Sequence, residues 1–194
     1  MHEVSIGSWI TLGHLSVVEI MADAGVDLLC VDLEHSVIDL YEAEILIATI
    51  QAKGIKPFVR VGHNDEMDIK RVLDAGTQGI IVPMVNSKKD AIKAINAVKY
   101  PPQGTRGVGL ARAQNYGFNF EEYAVTANSQ TTIIAQIEHI DAINNLNEIL
   151  SIDEIDGTII GPYDLSGSMG KPGKYDDPDV KDVLLKYEKL SKEF

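Results

Sequence analysis

The sequence is poor in positive charge. Its 17 Lys and Arg face 29 Asp and Glu in 194 residues, so that the formal net charge is −12 at pH 7. The basic residues are scattered, whereas a nucleic-acid-binding protein needs a basic face that displaces counterions from phosphates. The composition therefore argues against a nucleic-acid partner, although a single local arginine can still hold a small anionic substrate.

One cysteine is present, and long apolar runs are absent. Cys30 cannot form a disulfide within the chain, and its apolar neighbours predict a buried structural thiol, which fits a reducing cytoplasm. No apolar run approaches the roughly 18 residues of a membrane span. The first residues, "MHEVSIGSW", lack the apolar core of a signal peptide. These absences predict a soluble, cytoplasmic protein without a membrane partner.

The sequence does contain a repeated alternation between strand-like and helix-like segments. The strand-like runs are rich in Ile and Val and mostly continuous, as in strands that are covered on both faces. They are "VSIGSWITLG" (4–13), "DLLCVDLEH" (27–35), "KPFVRVG" (56–62), "GIIVPMV" (79–85), "TTIIAQIEH" (131–139) and "GTIIGPYDLS" (157–166). Helical patterns separate them, and this alternation predicts a parallel sheet with crossover helices.

Capping residues indicate where two of the helices begin. Ser16 and Glu19 form a candidate capping box in "LSVVEIMADAG", and Asp39 with Glu42 forms another in "DLYEAEILIATIQAKG". Further helices are predicted over "DEMDIKRVLDAG", "SKKDAIKAINAVKY", "IDAINNLNEIL" and "DVKDVLLKYEKLSKEF".

Both a doubly wound sheet and a TIM (β/α)8 barrel fit this α/β alternation. The sequence has no GxGxxG after a strand, and "GSMGKPGK" fails the P-loop pattern because Pro172 replaces a required glycine. Polar residues fall at or near the carboxyl ends of different strands: His35, Arg60, Glu138 and Asp164. Catalytic groups converge at that end of a barrel, so the barrel is favoured.

The chain accounts for about six of the eight βα units of such a barrel, which usually takes about 250 residues. Residues 1–194 are therefore expected to form a single, incomplete barrel domain, truncated after about six units. Completion of the sheet by another chain is the alternative, because a six-stranded remnant has two unpaired edges. The long segment 100–128 is expected to form an extended loop with a short helix over the barrel mouth.

Glu138 and Asp164 are candidate metal ligands. Neighbouring parallel strands lie about 4.8 Å apart, so carboxylates at their common end can meet. Two such carboxylates repel each other unless they share a proton or a cation, and oxygen ligands suit Mg²⁺ or Mn²⁺ better than zinc. The alternative is that each carboxylate caps a helix or pairs with a nearby base.

Arg60 and His35 are candidate catalytic residues. A guanidinium at a strand end suits an oxyanion or enolate, although an ion pair with a loop carboxylate explains Arg60 equally well. His35 suits an acid or base because histidine side chains in general change charge near neutral pH, although a lone histidine is more often structural. No lysine lies at the carboxyl end of a predicted strand, which argues against a Schiff-base mechanism. Trp9 is interpreted as a packing residue.

Several motifs, in order, resemble the HpcH/HpaI aldolase family of metal-dependent class II pyruvate aldolases. They are "VDLEHS", "VRVG" before "IKRVLDAGTQGIIVPMV", "YPPQGTRGVGLARAQNYG", "QIEHIDAINNLNEI" and "IDGTIIGPYDLSGSMGKPG", and they run through nearly the whole chain. The resemblance implies a TIM barrel. It also implies reversible aldol cleavage of a 4-hydroxy-2-oxo acid, of the 2-keto-3-deoxy sugar acid type, to pyruvate and an aldehyde.

The resemblance implies roles for individual residues as well. His35 would be the catalytic base, Arg60 would stabilise the transition state, and Gln136 would contact the substrate. Glu138 and Asp164 would bind a divalent cation, which would be Mg²⁺ or Mn²⁺, with Co²⁺ as a further candidate.

The substrate carboxylate would be held by the backbone of Gly161, Pro162, Tyr163 and Asp164. The family also has an aspartate that matches Asp74 and makes the histidine more basic. Asp74 ends a predicted helix and should lie at the rim away from the mouth, so a neighbouring subunit would have to deliver it. The resemblance accordingly implies a homo-oligomer, hexameric in full-length members, that acts on a small 2-oxo acid.

Two alternative functions are left open. A CoA-ester lyase of the citrate lyase β or malyl-CoA lyase type would share the barrel and the metal pair, but it needs a site for a large anionic cofactor. A truncated, non-catalytic barrel that serves only as an oligomer partner is the second alternative.

Overall fold

The computed structural model describes residues 4–194 and, in this range, contains one parallel sheet of six strands. The strands lie side by side in chain order, and each neighbouring pair is parallel. They are β1 (Gly7–Ile10), β2 (Leu28–Asp32), β3 (Lys56–Arg60), β4 (Gly79–Val82), β5 (Thr132–Ile137) and β6 (Gly157–Ile160).

Helices connect the strands and follow the last one. They are α1 (Leu15–Asp23), α2 (Leu40–Ala52), α3 (Glu66–Asp74), α4 (Lys88–Val98), α5 (Phe120–Gln130), α6 (Ile140–Asn144), α7 (Leu146–Leu150), α8 (Pro162–Ser168) and α9 (Pro178–Ser191). A 3₁₀ segment, Arg112–Gly117, precedes α5. In the described part of the chain, none of the helices has the length and apolar character that a membrane crossing requires.

The order of the strands separates this sheet from a doubly wound one. A doubly wound sheet reverses its strand order at a switch point and has helices on both faces. Right-handed crossovers in strictly sequential order instead place the connecting helices on one face. The six strands form a curled half-barrel, which confirms the predicted α/β class and the parallel sheet.

Alternate residues of each strand have different surroundings, because successive side chains face opposite sides of a sheet. One set lies against the helices and forms the hydrophobic core; it includes Leu29, Val31, Val59, Ile80, Val82, Ile133, Ala135 and Ile137. The other set faces away from the helices. Near the carboxyl ends of the strands this second set becomes polar, with Asp32, Arg60 and Gln136. The hydrophobic core therefore holds the strands in place, and the second face of the sheet carries polar side chains that do not contribute to that core.

One predicted capping box is confirmed and the other is wrong. At the start of α2, the Asp39 carboxylate accepts the N–H of Glu42, and the Glu42 carboxylate accepts the N–H of Asp39. The box predicted at Ser16 does not form, because α1 begins two residues earlier than that box requires. Its N-cap is His14, whose Nδ1 accepts the N–H of Ser16.

The predicted strands extended too far at their carboxyl ends. The sixth strand was predicted to reach residue 166, but β6 ends at Ile160. Pro162 starts α8, since proline is favoured in the first turn of a helix. Asp164 consequently lies in the first turn of α8 and not on a strand. The predicted helix "IDAINNLNEIL" is also divided, at Asn145, into α6 and α7.

The expectation that segment 100–128 covers the barrel mouth is wrong. Nη1 of Arg112 donates to the carbonyl of Ala75, just after α3, and to the side chain of Gln51 in the last turn of α2. Helices that connect parallel strands end near the amino ends of the strands, at the edge called here the amino rim. The segment runs from the end of α4 to α5, which leads to the start of β5. It therefore lies at the amino rim, opposite to the barrel mouth.

Cys30 is a buried free thiol, as predicted. Burial, with the nearby charge of Asp32 as a second cause, raises the pKa of the Cys30 thiol to about 12. A thiol of this kind stays protonated and unreactive.

Replacing Asp39 with Ala is expected to lower the free energy of unfolding by about 1 kcal/mol, because the N–H of Glu42 loses its acceptor at the start of α2. Asp39→Asn keeps a side-chain oxygen there and should change stability much less. Urea unfolding followed by circular dichroism measures both variants. Equal losses in the two variants would contradict the capping role.

Candidate active site

A pocket opens at the carboxyl ends of the strands. Its volume is about 430 Å³, and it is lined by His35, Arg60, Gln136, Ile159, Ile160, Gly161, Pro162, Tyr163 and Asp164. Every polar side chain in this set is one that the sequence predicts for the site. The structure therefore brings the predicted residues together, with Glu138 beside the pocket and Asp74 outside it.

Arg60 is fixed by an ion pair with Asp32 on the neighbouring strand. The two residues are register partners in β2 and β3, so their side chains leave the same face of the sheet side by side. Nε of Arg60 donates to Oδ1 of Asp32 at 2.9 Å, and Nη2 donates to Oδ2 at 2.6 Å. Asp32 is only 2 % exposed. Such bidentate pairing fixes the position of the guanidinium and its rotation within its own plane.

Asp32 also shapes the loop that carries His35. Its Oδ1 accepts the backbone N–H groups of Glu34 at 3.1 Å and His35 at 3.2 Å, and the hydroxyl of Ser36 donates to its carbonyl. Burial opposes ionisation, but hydrogen bonds from Arg60 and from the His35 backbone outweigh it and hold the pKa of the Asp32 carboxyl below its usual value. One ionised side chain thus positions two candidate catalytic residues.

Glu34 brings a second carboxylate to Arg60. Its Oε2 lies 3.2 Å from Nη1 of Arg60 and 3.9 Å from Nε2 of His35. Partial burial, followed by the charge of Glu138, raises the pKa of the Glu34 carboxyl above its ordinary value even though Arg60 opposes the shift. The pKa of Glu34 therefore depends on the charges of His35, Arg60 and Glu138.

Gln136, at 3 % exposure, connects the arginine to the other side of the site. Its Oε1 accepts from Nη1 of Arg60 at 3.4 Å, while its Nε2 donates to Oε2 of Glu138 at 2.5 Å and to Oε2 of Glu34 at 3.4 Å. An amide suits this place because it presents an acceptor to the cation and donors to the carboxylates.

Glu138 follows β5 directly and is buried, so its orientation depends on its partners. Its Oε1 accepts the backbone N–H of Met84 at 2.6 Å. Met84 has a φ of 53°, a left-handed conformation that is uncommon for residues other than glycine. Gly161 lies on the other side, where an added Cβ would be 3.1 Å from Oε2. The site thus keeps open the space next to this carboxylate.

Asp164 reaches the pocket from α8 and not from a strand end. It is the acidic residue in the first turn of this helix, where a negative charge is favourable. His35 lies in the loop three residues after β2, and its side chain is 59 % exposed. Its imidazole is therefore accessible from the open side of the pocket.

Asp74 does not line the pocket. It is the last residue of α3, and its Oδ1 accepts from Nη2 of Arg106 at 2.7 Å. Arg106 is buried at 1 % exposure, and its guanidinium lies over the rings of Tyr100 and Tyr123. Within one chain Asp74 therefore belongs to the amino rim, where the end of a helix is expected, and its role towards His35 stays a prediction.

Met84 and Trp9 also contribute to the site, although no local sequence motif indicates this. The Met84 backbone holds Glu138, and only its positive φ, which the sequence does not reveal, indicates this. Trp9 lies over Arg60, with the guanidinium carbon 4.7 Å from the ring centroid. The available signal was the predicted parallel sheet, in which the first and third strands lie on either side of the second and end at the same edge.

Comparisons with known proteins agree with this geometry. A family model described as HpcH/HpaI aldolase/citrate lyase matches residues 5–191. The hydroxypyruvate/pyruvate aldolase of Sagittula stellata is 40 % identical over 181 residues, which cover 93 % of this chain and 71 % of that protein. The 4-hydroxy-2-oxo-heptane-1,7-dioate aldolase of Escherichia coli is 39 % identical over 180 residues, which cover 92 % and 69 %.

A solved structure extends the match to three dimensions. The crystal structure of an HpcH/HpaI aldolase/citrate lyase family protein from Burkholderia cenocepacia superposes with a TM-score of 0.93 at 32 % identity, covering 98 % of this chain and 77 % of that one. The resemblance drawn from the motifs is confirmed: the chain belongs to the HpcH/HpaI aldolase/citrate lyase family.

Proposed function

We propose that this chain is a class II aldolase that cleaves a 4-hydroxy-2-oxo acid reversibly to pyruvate and an aldehyde. Relatives at 37–40 % identity are named as hydroxypyruvate/pyruvate and 4-hydroxy-2-oxo-heptane-1,7-dioate aldolases. The observation that carries the proposal is the convergence of His35, Arg60 and Gln136 at one pocket bordered by Glu138 and Asp164. We further propose that β1–β6 are six consecutive strands of a TIM barrel, as their sequential order indicates.

The donor set at this pocket fits a divalent cation held by Glu138 and Asp164. Both residues offer carboxylate oxygens, and Gly161 leaves space beside Oε2 of Glu138. Among residues 4–194 no group of three or more His, Cys, Asp and Glu could hold a metal. Two carboxylate ligands leave the other coordination positions of the cation free for substrate and water. This arrangement is common for Mg²⁺, and Mn²⁺ prefers similar oxygen ligands. When bound, the cation polarises the 2-oxo group of the substrate as a Lewis acid.

The charges around the pocket support a cation as well. Arg60 and Asp32 neutralise each other, which leaves the carboxylates of Glu34, Glu138 and Asp164 without an equal positive charge nearby. The charge of Glu138 contributes to the raised pKa of the Glu34 carboxyl, and a divalent cation would relieve such repulsion.

In the proposed reaction, His35 transfers the proton and Arg60 stabilises the negative charge. His35 accepts the proton of the 4-hydroxyl group, directly or through water, as the C3–C4 bond breaks and the aldehyde forms. The bond electrons remain on the pyruvate fragment as an enolate, which protonation at C3 converts to pyruvate. Arg60 faces the enolate oxygen with a charge that it cannot lose.

The remaining predicted residues would bind the substrate or assist the base. Gln136 would contact the substrate, and the backbone of Gly161 to Asp164 would hold its carboxylate. Asp74 could act on His35 only from a second copy of the chain, because within one chain it pairs with Arg106 at the amino rim. We therefore include a homo-oligomer in the proposal.

Pyruvate release from a panel of 4-hydroxy-2-oxo acids tests the reaction. With Mn²⁺ or Mg²⁺ present, the purified protein is expected to release pyruvate, and EDTA should abolish the release. CoA thioesters assayed in parallel test the alternative of a CoA-ester lyase. A folded protein that releases pyruvate from none of the acids would overturn the proposal.

Arg60→Ala is expected to lower kcat by about 10²–10³-fold, because the enolate loses its fixed positive partner. Arg60→Lys should recover only part of this loss, since an ammonium cannot reproduce the bidentate contact with Asp32. Steady-state kinetics measure both variants. The double variant Arg60→Ala/Asp32→Asn controls for the unpaired buried carboxylate. Near-normal kcat in folded Arg60→Ala would remove Arg60 from the mechanism.

Mn²⁺ is expected to raise the melting temperature of the wild-type protein, because a ligand that binds only the folded state stabilises it. Glu138→Gln and Asp164→Asn should each abolish most of this rise. Glu148→Gln, an exposed carboxylate on α7, is the matched control and should leave the rise unchanged. Differential scanning fluorimetry with and without Mn²⁺ measures the effect. An undiminished rise in Glu138→Gln would place the cation elsewhere.

A further inference from the structure

We infer that Trp9 is a positioning residue for Arg60: its indole ring covers one face of the guanidinium and holds it at the orientation in which it meets the enolate. The effect of Trp9 on catalysis depends on the proposed function. The contact between the two side chains does not depend on it, because the structure places the guanidinium carbon 4.7 Å from the ring centroid.

The other partners of Arg60 act at the edges of the guanidinium. Asp32 accepts from Nε and Nη2, while Nη1 lies against Glu34 and Gln136. Hydrogen bonds of this kind lie near the plane of the group and fix its rotation within that plane. They offer little resistance to tilting out of the plane. The guanidinium carbon lies over the Trp9 ring, and an aromatic ring at this place supplies the missing restraint together with a cation–π attraction.

Strand pairing places Trp9 where this contact can form. Trp9 pairs with Cys30, which pairs with Phe58, so Trp9 lies two positions before the level of Asp32 and Arg60. Because side chains two residues apart share a face of the sheet, Trp9 lies on the same side as the pocket residues. A long aromatic side chain spans the distance from β1 to the end of β3.

Packing in the core does not account for Trp9. It is 36 % exposed and lies outside the cluster of buried hydrophobic residues, whereas its neighbour Ile10 is fully buried in that cluster. Its polar neighbour is Arg60, and an aromatic ring in contact with a cation can act on that charge. The interpretation of Trp9 as a packing residue is therefore extended: the group against which it packs is the guanidinium of Arg60.

The ring changes the electrostatics of the site as well as its geometry. Covering one face of the guanidinium removes water from that face, and Arg60 is only 13 % exposed in its side chain. A charge with less water around it acts more strongly on a nearby oxyanion. Loss of the ring should therefore reduce kcat more than it raises KM, because the effect falls on the transition state.

A double-mutant cycle between Trp9 and Arg60 tests the inference. Trp9→Leu is expected to lower kcat about tenfold with little change in KM, and Trp9→Phe, which keeps an aromatic face, should recover most of the loss. In the Arg60→Ala background, Trp9→Leu should change kcat less than twofold, because its effect passes through Arg60. Phe118→Leu is the control: it changes an exposed aromatic residue of segment 100–128, away from the pocket, and should leave kcat unchanged. Equal losses from Trp9→Leu in both backgrounds would overturn the inference.

Tryptophan fluorescence gives a second test that needs no turnover. Trp9 is the single tryptophan of the chain. Removal of the guanidinium in Arg60→Ala should expose the ring and shift its emission to longer wavelength, whereas Phe118→Leu should not. Unchanged emission in Arg60→Ala would refute the contact. Absence of pyruvate release together with the shift would refute the proposed function and leave the contact standing.

Discussion

The buried ion pair between Arg60 and Asp32 is the interaction on which the rest of the site depends. It connects the ends of two neighbouring strands, and the same carboxylate holds the backbone of the loop that carries His35. Burying two charges is costly, and the attraction between them often does little more than offset that cost. The pair is therefore better understood as a device that fixes positions than as a source of stability.

The sequence predicts the parallel sheet, the number of strands in the described range and the set of residues at the pocket. These follow from strong signals: continuous Ile- and Val-rich runs separated by helical patterns, and polar residues at the strand ends. The position of Asp164 was harder to predict. The apolar run before it favours a longer strand, whereas Pro162 ends the strand at Ile160 and starts α8.

Tertiary contacts explain what the sequence could not reveal. Residues 100–111 of segment 100–128 form no helix or strand, and the partners of Arg112, which are Gln51 and Ala75, are distant in sequence. The backbone conformation of Met84 and the stacking of Trp9 on Arg60 likewise depend on groups that only the folded chain brings close. Sequence patterns thus identify the candidate reactive groups, whereas the contacts that Met84 and Trp9 make with them are visible only in the folded structure.

The division of each strand into two sets of side chains has a consequence for how such proteins diverge. Val31 and Val59 maintain the scaffold, while Asp32 and Arg60, the next residue along each strand, face the chemistry. Exchange at positions of the second kind leaves the helix-facing layer intact. A lineage built in this way can acquire new substrates by altering every other residue near a strand terminus, provided that buried charged partners such as Asp32 and Arg60 are exchanged together.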